Sequence, residues 1–117
     1  ELVLAACKAG IIGAFPTPNA RPIATLDTWM KQITEGLARA RDEQPAATIG
    51  PWCANLVTHS SNTRLPQDLE LIAKYKPPIV VTALGSPKAV VEAFKGAQRP
   101  REARQRLLEM RVPWVWL

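Results

Sequence analysis

The feature that most constrains this fold is a run of five residues, Ile-Val-Val-Thr-Ala at positions 79–83, that is almost entirely apolar. Strands with one wet face alternate apolar and polar residues, whereas strands covered on both faces of a parallel sheet read as continuous apolar runs. Residues 52–57 predict a second strand, and residues 11–15 predict a shorter one that is interrupted only by Gly13. The sequence therefore predicts three strands of a parallel sheet.

Helical patterns and a proline-rich loop separate these strands. Residues 1–9 predict a helix, because they lack proline and are followed by Gly10, where a left-handed residue is favoured. Three prolines make residues 16–22 a loop. The next helix ends near Arg41, and its inner face is predicted to carry apolar residues at 4-3-4 spacing, namely Leu26, Met30, Ile33 and Leu37. Its water-facing side is predicted to carry Asp27, Lys31, Gln32 and Glu35.

Two further helices complete an alternating pattern. Residues 58–64 form a polar loop, and Pro66 suits the first turn of a helix that residues 76–78 end. The inner face of that helix is predicted to carry Leu69, Ile72 and Tyr75. After a turn at Leu84 and Gly85, Ser86 and Pro87 predict the cap and first residue of another helix, with Val90, Val91 and Phe94 inward. Strict alternation predicts an α/β fold of βα units with a parallel sheet and right-handed crossovers.

Length and composition limit the classes of protein that fit. The chain has 117 residues, whereas a complete (β/α)₈ barrel needs roughly 200 or more. Apolar residues make up 47% and charged residues 21%, the balance of a globular chain, and no apolar run approaches the ~20 residues of a membrane span.

Cys7 and Cys53 fit neither a disulfide framework nor a zinc spacing, so they are predicted to be buried apolar residues. Such sparse cysteine is typical of a cytoplasmic protein.

The net charge of +5 is concentrated near the carboxyl terminus. Residues 1–94 contain 9 basic and 8 acidic side chains, a balance of +1, while residues 95–117 contain 6 and 2, a balance of +4. A continuous nucleic-acid-binding surface is therefore not expected. Residues 101–110 are typical of a basic amphipathic helix, and residues 112–117 form an apolar ending with Trp114 and Trp116. That ending suggests a truncated chain or a bound partner.

Polar residues cluster where the predicted strands end, which is where parallel α/β sheets bind ligands. The candidates are Thr17 and Asn19 after the first strand, Asn55, His59, Ser60 and Asn62 around the end of the second, and Thr82, Gly85 and Ser86 around the end of the third. Glycine at position 85 would let a backbone N–H approach a flat ligand. The pattern favours a small, partly anionic ligand.

Among these candidates, Asn55 is the most informative, because an amide inside an apolar strand must find partners. Those partners are either neighbouring backbone groups or a ligand, and the sequence leaves both open. His59 is interpreted as a surface or capping group, Asn19 as a turn residue and Ser86 as a helix cap. No G-x-S-x-G elbow, P-loop or dinucleotide fingerprint occurs, and no transition-metal site or catalytic residue is assigned.

An ordered series of segments resembles the nitronate monooxygenases, formerly called 2-nitropropane dioxygenases. The first is residues 1–10 with 12–15 and 19–21, and the second is residues 54–57 with the loop side chains that follow. The third is residues 78–85, preceded by Asp68 and Leu69. In the second segment the matching loop residues are His59, Ser60, Asn62, Arg64 and Leu65. The series covers residues 1–94 and follows the order of the family's segments.

The resemblance implies the N-terminal part of an FMN-binding TIM barrel, formed by residues 1–96, followed by a divergent basic segment, residues 97–117. Such an enzyme oxidises alkyl nitronates with O₂ to a carbonyl compound and nitrite. Asn55 matches the family asparagine on the flavin side of its strand, and Thr82 and Gly85 match the next strand end. The family's catalytic histidine and its glycine-rich phosphate-binding loops match no segment here, so the chain alone is expected to have little or no activity.

Two alternatives stay open on the sequence. The chain could be a non-catalytic α/β module that binds a partner, or a second copy, through an open sheet edge and the terminus at Trp114 and Trp116. It could also be part of a related flavin enzyme, an enoyl-acyl carrier protein reductase, which shares the barrel and the cofactor. A nitronate is the small-molecule substrate in the first interpretation, and neither nucleic acid nor a membrane is expected as a partner in any of them.

Overall fold

Three strands form one parallel sheet in the order β1-β2-β3. The structure, a computed structural model, describes residues 1–86 and 88. The strands are β1, Gly13–Pro16; β2, Trp52–Val57; and β3, Ile79–Ala83. The predicted parallel α/β arrangement is confirmed, and the predicted bounds of β2 and β3 are those observed. β1 begins two residues later than predicted, because the N–H of Ile11 donates to the carbonyl of Ala6 and keeps that segment with the preceding helix.

Three α-helices alternate with the strands as predicted. They are α1, Leu2–Lys8; α2, Ile23–Glu43; and α3, Leu65–Tyr75. Gly10 has a φ of 83°, the left-handed conformation expected after α1. The predicted inner face of α2 is buried at all four positions, and the helix continues two residues beyond the predicted end at Arg41.

The loop after β1 contains one turn of 3-10 helix, Thr17–Asn19, where the sequence predicts only loop. Proline at position 18 has no N–H to donate, but a single turn of this kind does not need it. The turn is closed by the N–H of Ala20, which donates to the carbonyl of Thr17 at 3.2 Å. Prolines therefore exclude a long helix here without excluding one short turn.

All three helices contribute to one core on a single face of the sheet. Phe15 and Ala54, which are paired in register, point to this face together with Trp52, and Val80 packs against them. The helical side of the same core includes Cys7, Leu26, Met30, Ile33, Leu37 and Ile72. Because side chains alternate along a strand, the intervening positions point to the opposite face of the sheet.

That opposite face, called the open face below, is formed by three rows of residues in register. From the amino to the carboxyl ends of the strands, the rows are Ala14, Cys53 and Ile79, then Pro16, Asn55 and Val81, and last Val57 and Ala83. The prediction that residues 79–83 form a strand covered on both faces was wrong, because no residue of β3 is fully buried and Val81 is 49% exposed on the open face. The core residues of the three helices pack on the other face, called the helical face below.

The inner face of α3 differs from the prediction at one position. Ile72 is fully buried as predicted, but Leu69 and Tyr75 are only half-buried, and the fully buried polar residue is Asp68. A carboxylate in this position needs hydrogen-bond donors around it. Those donors belong to the candidate site described below.

Asp27 does not simply face water as predicted. Its carboxylate oxygen Oδ1 accepts hydrogen bonds from Lys74 Nζ at 2.8 Å and from the Tyr75 hydroxyl at 2.7 Å, which link α2 to α3. The side chain is still 41% exposed, so the prediction was incomplete: helix periodicity identifies the side of a helix that faces the sheet, but not a contact with a neighbouring helix.

This link predicts a pH-dependent difference between the wild type and Asp27→Asn. The hydrogen bonds from Lys74 and then Tyr75 lower the pKa of Asp27 in the folded state. A depressed carboxyl pKa stabilises the fold above the unfolded pKa, and this stabilisation is lost as the pH falls through the folded pKa. The thermal midpoint of the wild type is therefore expected to exceed that of the variant at pH 7, and the two are expected to converge in acid. A difference that stays constant from pH 7 into acid, measured by circular dichroism, would contradict this assignment.

Several predicted features lie outside the described residues. These are most of the helix that begins at Ser86, the basic helix at residues 101–110, the terminus with Trp114 and Trp116, and the whole segment 97–117. At the predicted start of the helix at Ser86, the Oγ of this residue accepts a hydrogen bond from the N–H of Lys88 at 3.3 Å, as an N-cap would. Within the described part of the chain, no helix is long and apolar enough to cross a membrane.

Candidate functional site at the carboxyl edge of the sheet

The carboxyl ends of all three strands meet at one edge of the sheet, called the carboxyl edge below, and side-chain hydrogen bonds tie β2 to β3 there. Both the N–H and the hydroxyl of Thr58 donate to the carbonyl of Ala83, at 2.9 and 3.3 Å. Asn62 Nδ2 donates to the carbonyl of Val57 at 2.7 Å, which holds the loop after β2 against its own strand. Asn62 therefore acts as a structural residue of this loop.

Asn55 lies on the open face, between Pro16 of β1 and Val81 of β3 in register. Its carbonyl oxygen Oδ1 is buried and has no hydrogen-bond partner among the described residues. Leaving a buried carbonyl unpaired costs about 1–3 kcal/mol, so native proteins rarely keep one without a use for it. The sequence left two possible partners for this amide, neighbouring backbone groups or a ligand. No described backbone group bonds to its oxygen.

Thr82 and Gly85 do not share the surroundings of Asn55. Thr82 pairs in register with Leu56, one residue out of phase with Asn55, so its side chain points to the helical face of the sheet. Gly85 packs against the loop after β2, because a Cβ at this position would lie 2.6 Å from the carbonyl oxygen of Thr58. In this turn the residue with a left-handed backbone is Leu84, with a φ of 62°, and not Gly85. The requirement for glycine at position 85 therefore comes from close packing and not from backbone conformation.

A buried polar network holds the end of β1 in place. Thr17 and Asp68 are both fully buried, and the Thr17 hydroxyl donates to Asp68 Oδ2 at 3.0 Å. Arg64 Nε donates to the other carboxylate oxygen, Oδ1, at 2.9 Å. The same guanidinium also donates to three main-chain carbonyls of the loop after β1, namely those of Thr17, Ala20 and Arg21. The loop after β1 is thus fastened to the start of α3.

Sequence reasoning included Thr17 among the strand-end candidates but assigned no role to Arg64 or Asp68. A signal was present, because the two residues are four apart at the start of a predicted helix, the spacing of an ion pair. Asp68 also lies between Leu65 and Ile72 on the apolar side of that helix. A carboxylate in such a position predicts a buried partner, although not which one.

The remaining polar candidates are exposed and form local contacts. His59 Nδ1 lies 2.7 Å from Ser61 Oγ and accepts the N–H of Ser61 at 3.2 Å, an arrangement that closes a turn. Asn19 lies exposed in the 3-10 turn, and Ser60 is exposed in the loop after β2. These positions fit the turn and capping roles expected for His59 and Asn19.

The two cysteines are free and buried, as predicted. Burial raises the pKa of both thiols, so both stay protonated near neutral pH and are poor nucleophiles. Cys7 Sγ donates to the carbonyl of Pro51 at 3.3 Å, which is a packing role. In the part of the chain that the structure describes, no three His, Cys, Asp or Glu side chains are grouped as metal ligands.

The arrangement can therefore offer a ligand an unpaired amide carbonyl on an otherwise apolar sheet face, beside loops that side-chain hydrogen bonds hold to the strands. Comparison of the whole chain with protein-family models, with curated protein sequences and with solved structures found no match.

Proposed function

We propose that this chain forms the N-terminal part of an FMN-binding barrel of the nitronate monooxygenase type, which oxidises alkyl nitronates to a carbonyl compound and nitrite. Two features of the fold support the proposal. The strand order β1-β2-β3 follows the chain, and the helices between the strands share one face of the sheet. A doubly wound sheet would place helices on both faces, whereas a (β/α)₈ barrel keeps them all outside.

The observation that carries the proposal is the unpaired carbonyl of Asn55. In a barrel of this kind the open face would become the inner wall, and Asn55 lies near the carboxyl ends of the strands, in the last row to which all three strands contribute. The pyrimidine half of a flavin ring offers both an N–H donor and carbonyl acceptors. An amide side chain fits such an edge because it can accept through Oδ1 and donate through Nδ2.

The neighbours of Asn55 suit a flat aromatic ring. Pro16 has no side-chain donor and no N–H, and Val81 is apolar and half-exposed, so both would contact a ring without competing for its polar atoms. When bound, FMN would supply the electron-accepting chemistry of the reaction. The residues of this chain would orient the ring and exclude water from one of its edges.

The resemblance also implied flavin contacts from Thr82 and Gly85. Their placement supports a weaker proposal for these two residues than for Asn55, because Thr82 points to the helical face and Gly85 packs on Thr58. We propose Asn55 as the cofactor-contacting side chain, with Gly85 contributing through the close packing of the two loops.

A titration of the purified chain with FMN, followed by flavin fluorescence, tests the proposal. The wild type is expected to bind saturably, and Asn55→Ala is expected to bind about tenfold more weakly, the effect of losing one hydrogen bond of about 1.4 kcal/mol. Without FMN, the variant should be at least as stable as the wild type, because the substitution removes an unpaired buried carbonyl.

Asn19→Ala is the matched control, because it removes an exposed amide from the loop after β1. Its affinity for FMN should equal that of the wild type. Equal affinity of the wild type and Asn55→Ala would refute the assigned contact, and no binding by the wild type would refute the proposed function for this chain.

A further inference from the structure

Hydrogen bonds, joined at one step by the peptide bond between Val57 and Thr58, connect the strand ends across the carboxyl edge from β1 to β3. Thr17 and the carbonyls after β1 bind Asp68 and Arg64, and the N–H of Arg64 donates to Asn62 Oδ1 at 3.2 Å. Asn62 in turn binds the end of β2 at Val57, and the next residue, Thr58, binds the end of β3. The ends of all three strands are therefore connected through side chains at the start of α3 and in the loop before it.

Arg64 is the residue on which these contacts converge. Its Nη1 donates to the carbonyl of Ala20 at 2.6 Å and also to that of Arg21, while Nη2 donates to the carbonyl of Thr17 at 2.7 Å. Together with the bond from Nε to Asp68, every nitrogen of the guanidinium has a partner. These partners lie four residues away in α3 and 43–47 residues away in the loop after β1.

We propose that Arg64 is a positioning residue, which fixes the loop after β1 against the carboxyl edge so that the ligand-binding surface next to Asn55 is already formed before a ligand arrives. The identity of that ligand as FMN rests on the proposed function, whereas the fixing of the loop does not. The connection is direct, since Thr17 follows Pro16, the register neighbour of Asn55.

Two physical arguments support a positioning role over a purely stabilising one. A buried ion pair is a poor source of stability, because removing two charges from water offsets most of their attraction, and an apolar pair of similar size often serves as well. The pair instead fixes the relative positions of the groups that it binds, because a planar guanidinium donates to several acceptors in fixed directions. Three of those acceptors are carbonyls of one short loop, which therefore has one preferred position.

Arginine is required by the same geometry. Lysine retains the positive charge, but its ammonium is a single point on a flexible stem and cannot span Asp68 and three carbonyls at once. Arg64→Lys is therefore expected to keep the fold and release the loop. Thr17→Val is a second variant, which leaves the guanidinium in place and removes only the hydroxyl bond to Asp68.

The first measurement is amide hydrogen exchange and ¹⁵N relaxation on the full chain without FMN, at a temperature where every variant is folded. In Arg64→Lys, exchange of the Ala20 amide, which donates to the carbonyl of Thr17, is expected to be about tenfold faster than in the wild type, with residues of β2 unchanged. Thr17→Val should show a smaller increase at the same amide. Asp27→Asn, which breaks the link between α2 and α3, should leave this amide within about twofold.

Unchanged exchange at the Ala20 amide in Arg64→Lys, or an equal increase throughout the sheet, would overturn the positioning role. If Arg64→Lys does not fold, Thr17→Val decides the question by the same criterion.

The second measurement is the affinity for FMN at the same temperature. Arg64→Lys is expected to bind about tenfold more weakly than the wild type, while Asp27→Asn binds equally well. Equal affinity of Arg64→Lys and the wild type would overturn the use of this loop in binding. Absence of binding by the wild type would refute the proposed function instead, and the exchange result would still decide whether Arg64 positions the loop.

Discussion

Replacing Asp68 with asparagine is expected to lower the free energy of unfolding by about 3–5 kcal/mol, the usual loss when one partner of a buried ion pair is removed. Asp68 is fully buried and accepts from both Thr17 and Arg64. Asparagine has the same shape, but its NH₂ would face one of these donors, and the guanidinium would lose its counter-charge. Urea denaturation with an unchanged m-value would measure the loss.

Glu35→Gln is the matched control for this prediction. Glu35 and Lys31 have the same spacing of four residues within a helix, but their side chains are 59% and 62% exposed and their charged atoms lie 3.9 Å apart. Exposed pairs of this kind contribute little, so the control should change stability by no more than about 0.5 kcal/mol. A similar small loss in both variants would show that Asp68 is not buried with its partners as described.

Replacing Trp52 with alanine is expected to cost about 3–5 kcal/mol, the range for removing a large aromatic residue from a packed core. Trp52 is 3% exposed and stacks on Phe15, with 6.2 Å between ring centroids and an interplanar angle of 12°. It links the middle strand to the edge strand β1 on the helical face. The loss would be measured as the change in the free energy of unfolding.

Trp29→Ala provides a control that contacts the same ring. Trp29 meets Phe15 edge-on, with 6.1 Å between centroids, but is 38% exposed on α2. Its loss is expected to cost about 1 kcal/mol, because less apolar area returns to water. If Trp29→Ala were the more damaging of the two, the helical face of the sheet would not be the principal core.

The alternation of helices and strands was predictable, because burial of one side of a helix or strand makes apolar residues recur at a fixed spacing in the sequence. The four buried positions of α2 reflect one side of a helix that is covered by the rest of the protein. The apolar run at residues 79–83 identified a strand correctly but not its burial, which is only partial. The start of β1 was less predictable, since Ile11 and Ile12 are apolar yet exposed. Their position depends on how α1 ends, not on hydropathy.

The candidate site was predictable only in part. Asn55 could be identified as a candidate because it is an amide inside an apolar strand. The sequence did not show whether its hydrogen-bond partners are backbone groups or a ligand. Thr82 was grouped with Asn55 because both lie near strand ends, but the register places them one residue out of phase and so on opposite faces. The role of Gly85 depends on the approach of Thr58 from a different loop.

Apart from the start of β1 and the 3-10 turn, the sequence alone determined the described helices and strands, because helix and strand patterns depend on residues within a few positions of one another. The tertiary structure decided which polar groups are paired. Asp68 meets Thr17 across 51 residues and Arg64 reaches the loop after β1 across more than 40, while Asn55 Oδ1 has no partner in the described chain. Burial of a polar group can be inferred from its apolar neighbours in the sequence. Its partner cannot, because the partner is set by how distant segments pack together.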